Sequence, residues 1–410
     1  MIRPGLFERM VRSRCAAIEA GHLTLVDGDR AVTFGNGDGP TATITVHDTG
    51  FYRAIALEGH LGAADAYVDG WWSTDDLTSV VRLLARNREL LEGLEQGFAR
   101  LLTPLRKVAL VVDRNTRRGS RKNIMAHYDL GNEFFSLFLD DTLTYSSGIF
   151  EQPRASMREA SIAKYDQLCR NLALTATDRV IEIGSGWGGF AIHAASIYGC
   201  HVTTTTISRE QYTLATERVR AAGLTEHVTV LFQDYRELTG SFDKLVSIEM
   251  VEAVGHQYYR QYFDACARLL APHGLAAIQA ITIQDRFYDS ARREMDFIKR
   301  YIFPGSCIPS VSVLTGAASE TDLRLVRLDD ITPHYAETLK FWRERFEANW
   351  PAIRAQGFTE EFRRLWQFYF CYCEGGFREA VIGDVQLLFA KPRAVTTLEI
   401  SGPRLMEAAA

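Results

Sequence analysis

Long apolar runs are missing from this chain of 410 residues. No stretch approaches the roughly 20 residues that a membrane-spanning helix needs. Cysteine is sparse and shows no pairing pattern. Cys15, Cys169, Cys200, Cys266, Cys307, Cys371 and Cys373 are odd in number and lack C-x-x-C spacing, so neither a disulfide framework nor a zinc site is indicated. The N-terminal MIRPGLFERMVRSRC is basic but has no apolar core of a secretory signal, which leads us to expect a cytoplasmic protein. A net charge of −5 argues against general nucleic-acid binding. What remains is a 47% hydrophobic chain, long enough for two or three domains that each bury a core.

The informative stretch is VIEIGSGWGG, Val180 to Gly189. A β-branched apolar run meets glycines at Gly184, Gly186 and Gly188, and a helix-compatible segment follows from Phe190. Alternate glycines let the backbone take positive φ and lie against a ligand with no Cβ between, while the helix start offers free N–H groups. The same turn serves a dinucleotide, another nucleoside ligand, or none.

Before this turn, HLTLVDGDRAVTFGNGDGPTATITVHD holds β-prone runs broken by Asp-Gly and Asn-Gly, read as hairpins. The segment after it turns helical, and residues 1–105 are read as a small α+β domain, with Trp71 and Trp72 in its core. A basic linker is assigned to 106–122, where Arg114 to Lys122 carries five cations and no acid. Its plain reading is a solvated connection; its functional one is attraction to an anionic lipid surface. The main domain is placed at 123–410. It opens with aromatic residues including Phe134, Phe135 and Phe138 at partly helical spacing, and Ser156 to Ala173 reads as an amphipathic helix.

Beyond the glycines, strand and helix alternate: HVTTTTIS, REQYTLATERVRAAGL, HVTVLFQDY, FDKLVSIEM, QYFDACARLL and GLAAIQAITI. This predicts a doubly wound parallel sheet with ligands at the strands' carboxyl ends. The second strand ends at Thr206, Ser208 and Gln211 rather than at an acid, which weakens a dinucleotide reading. Asp234 and Tyr235 end the third, a carboxylate and a ring suited to an adenine. DVQLLFAKP is read as a last strand closing the sheet. Glu252 and His256 stand four apart without a third ligand, so no metal is expected.

HYDLGNEFFSLFLD, TYSSGIF, IEIGSGWGG, TISREQ, QDYREL, EMVEAVGH and YIFPGSCIPS, in this order, resemble the cyclopropane-fatty-acid synthases, S-adenosylmethionine-dependent enzymes, and most of all their plant-like branch. The resemblance runs from about Asn123 to Pro392, with a weaker match of the N-terminal region to the extra domain of phospholipid-acting members. It implies a seven-stranded Rossmann-like class I methyltransferase fold, α/β, with helical insertions around Arg286–Ser310 and Thr338–Phe377 covering an acyl chain.

The resemblance also assigns residues. Tyr128, Tyr145 and Ser146 would touch S-adenosyl-L-methionine, Gly184, Gly186 and Gly188 would lie under its methionine part, Thr206 and Gln211 at the ribose, and Asp234, Tyr235 and Arg236 near the adenine. The π electrons of a cis double bond would take the sulfonium methyl, leaving a carbocation whose new methyl must lose a proton. A bicarbonate is thought to be that base in the family, held here by Glu252, Tyr335, Gln279 and backbone groups at Ser147 and Ile281. Aromatic faces at Tyr128, Tyr145 and Tyr301 would add cation–π attraction. Two positions depart from the pattern: Ser147 replaces the usual Cys and Gln279 the usual His. A neutral amide donates a hydrogen bond but shuttles no proton. The expected product is a cyclopropane fatty acyl chain in a phospholipid, formed at the inner face of the membrane. The alternatives are a methyl- or methylene-branched chain, with a partner reductase or oxidase, and more distantly a small-molecule methyltransferase. Glu249 is read as a strand-side support for Glu252, and a homodimer is expected.

Overall fold

The structure is a computed structural model that describes residues 5–88 and 130–394. The basic linker and Tyr128 lie outside the described residues. In the N-terminal unit, α1 (Leu6–Cys15), β1 (His22–Asp27), β2 (Arg30–Phe34), β3 (Thr41–Val46), α2 (Gly50–Val68), β4 (Trp72–Ser73) and α3 (Leu77–Arg86) follow in order. The sheet order is β2-β1-β3-β4. The first Asp-Gly makes the expected hairpin, with Asp27 opposite Arg30 and Gly28 at φ +57°. The second does not. β3 pairs with β1 in parallel instead of returning along β2. Leu23 and Leu25 of β1 continue sideways into buried Ala42, Ile44 and Val46, whereas β2 buries no residue and is left on the edge. Trp72 is buried, its indole N–H donating to the Ala63 carbonyl at 2.9 Å.

The main unit is a seven-stranded sheet built from β5 (Arg179–Ile183), β6 (His201–Thr206), β7 (Val228–Phe232), β8 (Phe242–Ile248), β9 (Leu270–Ile283), β10 (Arg324–Asp330) and β11 (Ile382–Ala390). Its order is β10-β11-β9-β8-β5-β6-β7, parallel from β9 to β7, with β11 antiparallel to both its neighbours. The expected closing strand is therefore interior. DVQLLFA is wholly buried, with Val385, Leu387 and Phe389 on one face and Asp384 and Gln386 among the residues of the other, while β10 is largely exposed, as suits an edge.

Three helices matter for the site. One spans Met157–Asn171, opened by a reciprocal Ser156–Glu159 capping box. The others run over Thr332–Ala348 and Glu360–Arg378. The last bolts the N-terminal unit to the sheet. Buried Glu374 accepts from Thr78 Oγ1 at 3.1 Å, Arg343 Nη2 at 3.0 Å and Arg378 Nε at 2.9 Å. Glu379, just past its end, pairs with Arg82 and Arg86. Phe134, Phe135 and Phe138 are fully buried and pack edge-on or tilted against Trp366. Among the described residues no helix is long and apolar enough to cross a membrane.

Candidate active site

The turn after β5 is built as its glycines require: Gly184, Gly186 and Gly188 have φ of +97°, +49° and +83°. Gly184 and Ser185 donate their N–H groups to the Thr205 carbonyl, tying the turn to β6. Gly188 then caps the helix Gly189–Tyr198. A Cβ placed on Gly186 would meet no protein atom within 4 Å, so the turn's backbone faces open space.

That space belongs to a cavity of about 990 Å³. It gathers Tyr145, Ser146, Gly184, Gly186, Thr206, Gln211, Asp234, Tyr235 and Arg236, all assigned to the cofactor, together with Glu249, Glu252, Ile281 and Tyr335. Ser147 and Gln279 have no exposed surface and stand behind this wall. Thr206 donates to the Gln211 side-chain oxygen at 2.8 Å, setting both at the carboxyl end of β6. Asp234 is held in a two-pronged pair with Arg236, at 2.9 Å and 2.6 Å. Tyr145 bonds Tyr369 through the hydroxyls at 2.9 Å.

Under Tyr145 and Ser146 lies an unforeseen cation. Lys164 is fully buried and donates to Ser146 Oγ at 2.7 Å. Burial pushes its ammonium down to about 8, opposed by the nearby carboxylates of Glu249 and Asp384. Glu182, the acid inside the apolar VIEI strand, also lines the cavity, and burial pushes its carboxyl up to about 8. Its Oε2 is buried without a partner. An open glycine backbone, a hydroxyl–amide pair at the next strand end and an unpartnered buried acid together suit a ligand with an amine and a ribose. They fit S-adenosylmethionine.

The expected bicarbonate pocket is different. Ser147 N–H and Gln279 Nε2 both donate to Glu249 Oε1 at 2.8 Å, and Tyr335 O–H donates to Glu249 Oε2 at 2.6 Å. Ile281 N–H donates to Glu252 Oε1. Every donor assigned to bicarbonate is thus already engaged by a protein carboxylate, and the site does not fit that ion. Glu252 keeps an unpartnered buried Oε2, and burial followed by the charge of Glu249 pushes it up to about 8. Asp384 closes the cluster, accepting from Gln279 Nε2 at 3.1 Å, and burial drives its carboxyl well above the usual range.

Sequence reasoning passed over Lys164, Glu182 and Asp384 and gave Glu249 a lesser part. Lone charges within apolar strands, VIEI and GDVQLLFA, were the available signal for two of them. Among the described residues no cluster that could hold a metal ion is found.

Residues 115–387 match the family model for mycolic acid cyclopropane synthetase. The tuberculostearic acid methyltransferase UfaA1 of Mycobacterium tuberculosis is 37% identical over 89% of this chain and 86% of its own. The cyclopropane-fatty-acyl-phospholipid synthase of Escherichia coli is 35% identical over 87% of this chain and 89% of its own. Among solved structures, mycolic acid cyclopropane synthase CmaA1 complexed with SAH and CTAB superposes with a TM-score of 0.63 at 30% identity, covering 66% of this chain and 98% of that one. The open glycine turn, the buried carboxylate cluster beside it and these likenesses converge: the chain belongs to the cyclopropane synthase family and is an S-adenosylmethionine-dependent methyltransferase.

Proposed function

We propose that the protein adds one carbon from S-adenosylmethionine to the cis double bond of an unsaturated fatty acyl chain carried by a phospholipid, and that ring closure to a cyclopropane is its principal outcome. The observation that carries this reading is the lining of the cavity. Besides the glycine turn, Glu249 and Tyr335, it includes Leu25, Ile44, Phe51, Trp72 and Val80 of the N-terminal unit. These are hydrocarbon and aromatic surfaces, accompanied by Arg14, Glu58, His60 and Arg88, and they suit an acyl tail at about 0.8 kcal/mol per buried CH₂. Helix α2 breaks at Gly59, with φ 59° and ψ −131°, where it borders the cavity. On this reading the described part of the N-terminal unit, residues 5–88, is not an appendage but one wall of the acyl site.

The cofactor supplies an electrophilic methyl group. Gly184 and Gly186 let it approach the turn, Thr206 and Gln211 hold the ribose, Asp234, Tyr235 and Arg236 border the adenine, and Tyr145 and Ser146 close over it. Tyr145 and Phe303 both line the cavity, 6.4 Å apart ring centre to ring centre. Ring faces of this kind stabilise a cation on carbon by about 0.5–2 kcal/mol each.

A second reading, a methyl- or methylene-branched product, is favoured by one observation: Gln279 stands where a proton-shuttling His was expected, and its amide is fixed by Glu249, Asp384 and Gln386. A saturated branch would further require a reductase. The test is incubation with labelled S-adenosylmethionine and liposomes of cis-monounsaturated or fully saturated phospholipid. Label in the unsaturated lipid alone, with gain of one CH₂ and loss of the olefin, supports the reading; ring protons in the NMR spectrum select cyclopropane, and a branch selects the second. Equal labelling of both lipids, or of neither, refutes acyl-olefin chemistry.

A further inference from the structure

Glu249 stands in backbone that a glutamate rarely adopts. Its φ is +48°, in the left-handed region, at the carboxyl end of β8. A residue with a Cβ is strained there. The conformation is pinned by the Glu249 N–H donating to the Gln279 carbonyl at 2.9 Å. The side chain is thereby directed between three elements that each contribute a donor: Ser147 from the loop before the Met157–Asn171 helix, Gln279 from β9 and Tyr335 from the Thr332–Ala348 helix.

Two oxygens of a planar carboxylate, three converging donors and an adjoining reaction cavity are what a small oxyanion base needs. We propose that the Glu249 carboxylate is the enzyme's own general base, taking the place that the family resemblance gives to a bound bicarbonate, and that it removes the proton lost by the newly attached carbon.

This rests on the acyl-olefin reading above. A C–H bond of the transferred carbon breaks and its electron pair closes the C–C bond to the neighbouring cationic carbon. The proton goes to Glu249, which becomes a neutral carboxyl group. No co-reactant is needed.

The surroundings give the two carboxyls of the EMVE segment different partners. Burial raises the Glu249 carboxyl above its ordinary range, opposed by the Tyr335, Ser147 and Gln279 donors and by the nearby Lys164 ammonium, which favour its ionised form. Glu252 receives one backbone N–H and keeps a bare oxygen, so burial and its charged neighbour leave it neutral near pH 7. Asp384 and Tyr335, the other titratable groups facing Glu249, are likewise held neutral. Three hydrogen-bond donors on one acid and a bare oxygen on the other is an arrangement that divides base and acid work between them.

The experiment uses the full chain in buffer freed of carbon dioxide, with unsaturated phospholipid vesicles, comparing wild type, Glu249→Gly and Glu249→Gln. Glycine suits the left-handed backbone and glutamine keeps the volume and most of the donors' partners, so one of the two remains folded. Cofactor binding by calorimetry checks this independently of turnover. The expected result is a wild-type rate unchanged by adding or removing bicarbonate, and loss of about 10²–10⁴-fold in both variants, the usual worth of a general base. Partial rescue of Glu249→Gly alone by added bicarbonate, which can enter the vacated space between the three donors, would support the assignment further. A wild-type rate that collapses without bicarbonate, or a variant within tenfold of wild type, would overturn it. Should the wild type transfer no carbon to any unsaturated lipid, the acyl-olefin reading itself has failed and the base assignment falls with it.

Discussion

Removing a single hydroxyl, Tyr335→Phe, probes the carboxylate cluster with little damage to the fold. The Tyr335 ring is buried and stacks on Phe377 at 4.4 Å, a contact that phenylalanine preserves. What disappears is one charge-assisted hydrogen bond of 2.6 Å to Glu249 Oε2. Such a bond contributes about 1.5–3 kcal/mol. If it stabilises the ionised base, its loss raises the Glu249 pKa and lowers the fraction able to accept a proton at neutral pH. At 1.36 kcal/mol per decade, this amounts to a rate about ten- to a hundredfold lower. The sign for pH follows: a donor that favours the anion is gone, so the acid limb of the kcat/KM profile moves to higher pH, and raising the pH restores part of the activity. The assay is label transfer to monounsaturated phospholipid across a pH series, with cofactor affinity measured alongside and expected unchanged. A variant with the wild-type rate and an unmoved acid limb would refute the reasoning.

Other perturbations test other parts. Gly186→Ala places a side chain at φ +49°, costing about 1–2 kcal/mol of stability, yet meets no protein atom; a loss of cofactor affinity beyond that expected from the lowered melting temperature identifies the occupied side of the turn. Glu374→Ala removes the shared acceptor of Thr78, Arg343 and Arg378 and should destabilise by about 3–5 kcal/mol, read by denaturant unfolding, because it strands buried donors between the two units. Glu182 is raised in the fold to about 8 from 4.5, so the stability it contributes as a neutral group is full below pH 4.5 and is lost as pH rises through about 8. Lys164, lowered to about 8 from 10.5, acts oppositely, its contribution growing between those two values. Glu182→Gln should therefore flatten the fall in melting temperature between about pH 5 and about pH 8, and an unchanged slope would contradict the buried, neutral state assigned to it.

Much of the architecture was legible because local chemistry and fold agree in it. The spacing from Ser156 to Ala173 marked a helix, alternate glycines marked the turn, and β-branched runs alternating with helical ones marked the parallel sheet. The failures occur where a long-range choice overrides a local sign. An Asn-Gly and an Asp-Gly between β2 and β3 suggest a hairpin, but the apolar face of β1 recruits β3 in parallel. DVQLLFA is the final antiparallel strand that the resemblance implies; its place between β9 and β10 buries Asp384 and Gln386 as well as its apolar residues, which sequence alone does not announce.

At the site, the residue types were readable and their partnerships were not. Ser147, Gln279, Ile281 and Tyr335 were read as holding a bicarbonate, and in the structure each donates to a protein carboxylate instead. The anions they serve are Glu249 and Glu252 themselves. Glu249 reaches three of them only through a left-handed backbone that nothing in EMVE announces. Lys164 escaped notice for a related reason: on a helix of mixed polarity a lysine reads as solvated, and only the packed sheet behind it shows that it is enclosed.

The central claim is that a methyl group arrives on an olefinic carbon and then loses a proton to the enzyme. Supplying S-adenosylmethionine with a fully deuterated methyl group, together with cis-monounsaturated phospholipid, tests both halves in one mass spectrum. The account predicts that the added carbon retains two of its three deuterons, the third having been taken by the base. Retention of all three, as in methylation of a nitrogen or oxygen atom, would contradict it.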